Sequence, residues 1–118
     1  MRGSELGILV LLASALAACG GAQLNQSKLT DTEASIRAAE EVGAKDQPKA
    51  SLHLQLARDQ INQAKRVADD GDEKNAALLL NRAQVDAELA LQLAKTDQEQ
   101  QEARQAWQKI QDLKQDQR

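Results

Sequence analysis

Aromatic side chains are almost missing: the 118 residues include one Trp and neither Phe nor Tyr. That removes the stacking platforms on which single-stranded nucleic acid is held. The formal charge is −3 and no Lys/Arg run stands out, so the clustered cations that grip phosphates are missing too. A nucleic-acid partner is not expected. The single cysteine, Cys19, excludes an intrachain disulfide, and the single histidine, His53, has no helix-spaced ligand partner. A metal centre needs several such ligands at fixed spacing; an exposed or half-buried helix histidine is expected instead. One proline and six glycines punctuate the chain, none of them after Gly71, so nothing there forces a helix to stop.

What is present is alanine, glutamine, leucine and charge of both signs, residues that lose little entropy in a helix. The β-branched and aromatic residues that favour sheets are scarce. The predicted class is all-α: a small antiparallel hairpin or three-helix bundle with a long C-terminal helix. No nucleophile elbow, glycine-rich phosphate loop or Ser/His/Asp set occurs. The acidic cluster Asp69, Asp70, Asp72 and Glu73 lacks the calcium-loop pattern, because Ala77 stands six places after Gly71 where a Glu belongs. Capping of the next helix is its expected role. No catalytic, cofactor-binding or metal residue is assigned, and a non-enzyme is expected.

At the N-terminus, Arg2 precedes Leu6 to Ala18 (LGILVLLASALAA), a stretch without charge. As a helix it rises about 20 Å against a hydrocarbon core of ~30 Å, too short for an ordinary span. It fits the h-region of an export signal over residues 1–18. Leu16-Ala17-Ala18-Cys19 resembles the lipobox of bacterial lipoproteins. That resemblance implies cleavage between Ala18 and Cys19, a diacylglycerol on the Cys19 sulfur and an acyl chain on the new amino terminus. Two or more chains anchor stably where one holds marginally. Gly20, where an Asp would favour inner-membrane retention, implies the periplasmic face of the outer membrane. The alternative is an ordinary secretory signal followed by a free thiol.

Residues 19–28 read as the lipidated cysteine and a flexible polar tether, residues 29–96 as a helical domain, and residues 97–118 as a Gln-rich amphipathic tail. Thr30-Asp31-Thr32-Glu33 matches a capping box and predicts a first helix over 31–42. Leu29, Ile36 and Ala39 share one side of it, and Gly43 is its left-handed stop. Pro48 opens a second helix with Leu54, Ala57, Ile61, Ala64 and Ala68 on one face. Gly71 makes the turn and Asp72 caps the third helix. Its seam is Ala76, Leu80, Ala83, Ala87, Ala90 and Ala94, flanked by Leu79, Asp86 and Leu93. A second capping box, Thr96-Asp97-Gln98-Glu99, offers a break, but continuation to about Gln115 is favoured because no glycine or proline intervenes. Ala103, Ala106, Ile110 and Leu113 carry a stripe along the tail. Trp107 is expected to pack against the hairpin end, or else to contact a partner.

The stretch PKASLHLQLARDQINQAKRVADDGDEKNAALLLNRAQVDAELALQLAKT, with Gly43 before Pro48, resembles domain of unknown function 4398, a family of bacterial envelope lipoproteins. Leu56-Ala57-Arg58, Gly71-Asp72, Arg82-Ala83-Gln84 and Asp86-Ala87-Glu88-Leu89-Ala90 carry the match. The resemblance implies a helical hairpin with an additional helix, and it supplies no catalytic residues. Some members continue into an OmpA-like peptidoglycan-binding domain, which is not expected here, so binding to peptidoglycan lacks support. The expected function is a lipid-anchored scaffold or adaptor, held to the membrane by its lipid and binding an envelope protein or a second copy. The alternative is an oligomeric coiled-coil spacer between membrane and cell wall, like murein lipoprotein.

Overall fold

Asn25, not Thr30, starts the first helix. In the computed structural model, which describes residues 24–117, the Asn25 side chain accepts from the backbone N–H of Lys28 at 2.9 Å. Helix α1 therefore runs Gln26–Glu41, and the expected tether ends earlier than residue 28. Thr30 lies exposed inside the helix. The earlier start has a packing reason: it places Leu29 within the helix, on the same buried side as Thr32, Ile36 and Ala39. Thr32 is fully buried, and its hydroxyl donates to the Lys28 carbonyl at 2.7 Å, which satisfies the polar atom inside the core.

Gly43 adopts φ +88° and its N–H donates to the Glu40 carbonyl at 3.1 Å, ending α1 as expected. A short 3-10 turn, Ala44–Asp46, leads to α2, Pro48–Asp69, with proline in its first turn. At the far end Gly71, at φ +87°, donates to Ala68, and Asp72 donates to Val67 at 3.0 Å. This pair of bonds is a Schellman closure, which turns the chain back while satisfying the last carbonyls. Asp72 then caps α3, accepting from the Asn75 N–H at 3.1 Å. The acidic turn thus works as a cap, with Glu73 in the first turn.

Helix α3 spans Glu73–Asp116 without a break, about 66 Å at 1.5 Å per residue. The three helices run up, down and up: α2 packs along α3, and α1 lies mainly against α3. Eleven of the sixteen buried hydrophobic residues are alanine. Such small side chains allow the axes to approach the ~8 Å end of the packing range. The seam of α3 is buried at every expected position, from Ala76 to Ala94. Beyond Ala94 only Asp97 is partly covered, and every described residue from Gln98 onward is exposed.

Candidate interaction surface

Leu24 sits beside Ala68, Glu73 and Ala76 at the end of the bundle that carries the Gly71 turn, around a shallow cavity of about 560 Å³. Residues 1–23, including Ala18 and Cys19, lie outside the described residues. Because α1 runs parallel to α3, the chain enters the bundle at one end and the tail leaves it at the other.

The side of the α2–α3 hairpin away from α1 is held by polar groups. His53 Nδ1 donates to Asp86 Oδ1 at 2.8 Å, and Gln60 Nε2 donates to Asp86 Oδ2 at 2.8 Å. His53 is half-buried, as expected, but its partner comes from another helix, 33 residues away. Asp86 accepts from two turns of α2 at once and fixes how the two helices slide along each other. On the other side, Glu40 bonds both Lys45, at 3.0 Å, and Arg58. The Lys45 hydrogen bond, together with the charge and hydrogen bond of Arg58, holds the Glu40 carboxyl below its ordinary value of 4.5 despite opposing desolvation. Among the described residues no three His, Cys, Asp or Glu side chains are grouped to hold a metal ion, and no helix is long and apolar enough to cross a membrane.

Apolar surface remains on α3. Leu78, Val85 (63 % exposed) and Leu89 face away from the buried seam; Val85 also borders a shallow groove with Gln60, Arg82 and Asp86. In the tail, Trp107 (64 % exposed), Ile110 and Leu113 are uncovered. The expectation that Trp107 packs against the hairpin end is overturned. It stands thirteen residues past Ala94 on an unbroken helix, about 20 Å beyond the last buried residue, and no turn brings it back. Of the two roles weighed for Trp107, contact with a partner is the one this exposure leaves open.

These features define an all-α module: a three-helix bundle bearing a single-helix extension on which Trp107, Ile110 and Leu113 are uncovered. The chain belongs to the family described as Domain of unknown function (DUF4398), whose model matches residues 27–106. The match takes in all but the first residue of α1 and reaches into the tail, beyond the stretch that carried the resemblance. No curated protein matches the chain, and no solved structure matches it.

Proposed function

We propose that this protein is a lipid-anchored, non-enzymatic adaptor of the bacterial envelope, held to the periplasmic face of the outer membrane through Cys19. Its role is to present a helix face to other envelope proteins. The observation that carries the reading is the polarity of the molecule: the chain enters at the Gly71 end of the bundle, and the uncovered Trp107, Ile110 and Leu113 lie toward the opposite end of α3. An anchor at Cys19, a few residues before Leu24, therefore holds the Gly71 end of the bundle near the bilayer and leaves the tail stripe at the other end of α3 uncovered. A solvent-exposed Trp beside Ile and Leu is the kind of side-chain group that anchors protein contacts. The non-enzymatic part of the reading rests on what the polar groups do: His53 and Asp86 are engaged with each other in tying α2 to α3. The two left-handed glycine turns fold the chain back on itself, which favours an adaptor over a single continuous spacer rod.

Cells fed labelled palmitate should incorporate it into the wild-type chain and not into Cys19→Ser, and the variant should leave the membrane fraction. A photoreactive residue replacing Trp107 should cross-link the chain in intact cells to a defined protein. Absence of label from the wild type, or membrane retention of Cys19→Ser, would overturn the anchor.

A further inference from the structure

The uncovered side of α3 keeps a seven-residue rhythm past the end of the bundle. Ala103 and Ile110 lie in one file and Ala106 and Leu113 in the next, the alternate 3–4 spacing of a two-helix seam. The first file lies about 160–180° round the helix from Ala76 and Ala94 and the second about 100–120°, and all four of these tail residues are exposed. Upstream the first file passes through Thr96 to Leu89 and the second through Glu99 and Gln92 to Val85, with Leu89 and Val85 exposed. Charges flank the seam: Lys95, Glu102, Lys109 and Asp116 occupy one edge at seven-residue intervals, with alternating sign. No ion pair ties Glu102 or Lys109 to another described residue.

We infer that the tail pairs with the tail of a second copy of this chain, antiparallel, with Glu102 of each copy facing Lys109 of the other. The charges choose this arrangement. A parallel pair sets Glu99 against Glu99 inside the seam, where the antiparallel register instead sets it against Ile110, and Lys109 against Lys114 at the edge. An antiparallel pair slid by one heptad brings Lys109 against Lys109 and Glu102 against Asp116; slid the other way, Glu102 meets Glu102. Only the register in which Ala103 of each copy faces Ala106 of the other matches Glu102 with Lys109 and Lys95 with Asp116, each twice by symmetry. The alanines at the centre allow close approach of the axes, and Trp107 covers the flank beside Gln100 of the other copy. The two-fold axis crosses α3 near residue 104, about 47 Å from Glu73. The dimer is then a rod with a bundle at each end and its two Gly71 turns about 95 Å apart.

This inference rests on the adaptor reading in taking the tail as the binding surface and names a second copy as the occupant of its Ile110–Leu113 stripe; palmitate labelling tests the anchor, and the following tests the pairing. The full chain is purified in excess detergent micelles and sedimented at low salt. A monomer–dimer equilibrium is expected, and Lys109→Glu should weaken it by roughly tenfold, as two exposed attractive pairs become repulsive. The double variant Glu102→Lys/Lys109→Glu should restore it to within about threefold. In a mixture of isotope-labelled and unlabelled protein, zero-length carbodiimide coupling should join Glu102 of one copy to Lys109 of the other. A chain that stays monomeric up to about 1 mM, a dimer indifferent to Lys109→Glu, or a double variant that is not rescued would overturn the inference.

Discussion

Asp86 occupies the middle of a file whose neighbours seven residues away on each side are Leu79 and Leu93. An apolar side chain would fill that place well; the carboxylate is there because it accepts from both His53 and Gln60. Asp86→Ala leaves two half-buried donors without their acceptor and should destabilise by about 1 kcal/mol, a Tm loss of about 4–8 °C in a domain of this size. Asp86→Leu also removes the acceptor but continues the leucine file, so it should melt above Asp86→Ala and near or above wild type. Thermal melts of the three proteins check this; equal losses in both variants would mean that the file is not apolar. Glu40 supplies the pH dependence. Its folded value is depressed, chiefly by Lys45, so its contribution is complete above 4.5 and is lost as pH falls through the lower folded value. Glu40→Gln should therefore be less stable than wild type at neutral pH, with the gap closing below pH 4.5 in an acid series of denaturant melts. The sequence made His53 visible as a lone histidine, but its partnership with Asp86 depends on how α2 slides against α3, which no local pattern encodes.

The helices differ in how much of them could be read in advance. The α3 seam was legible at every position because alanine repeats at alternate steps of four and three, a period with one structural meaning. Gly43, Pro48, Gly71 and Asp72 were equally plain, since each has a backbone role that few other residues fill. The start of α1 was not. Thr30-Asp31-Thr32-Glu33 has the right letters for a capping box, yet burying Leu29 and Thr32 on the α3 side favours an earlier start, and Asn25 supplies the cap. Packing prevailed over a local motif. Trp107 was misplaced for the converse reason: a bulky residue invites a packed reading, but a helix lacking glycine or proline does not turn back. The alanine seam also sets a tolerance that can be tested. Ala87 is fully buried where α3 meets its neighbours, and Ala87→Leu should overpack that contact by about 1–3 kcal/mol, seen as a lower midpoint in urea at unchanged slope.

At the scale of the whole molecule, α3 belongs both to the bundle and to the tail. A rigid helix passes on more than distance, since every residue also turns the chain by about 100°. The side toward which Trp107 and Ile110 point is thereby locked to the orientation of the bundle some 20 Å away, as a key's teeth are locked to its bow. One alanine inserted after Gln98 should swing the tail stripe by more than a quarter turn relative to Lys95 and Thr96, and weaken pairing in sedimentation. Seven inserted residues, close to two full turns, should return the stripe to its heading and spare the pairing while lengthening the rod. The unbroken run from Glu73 to Asp116 thus acts as a compass needle: whatever fixes the rotation of the bundle also selects the direction from which the tail can be approached.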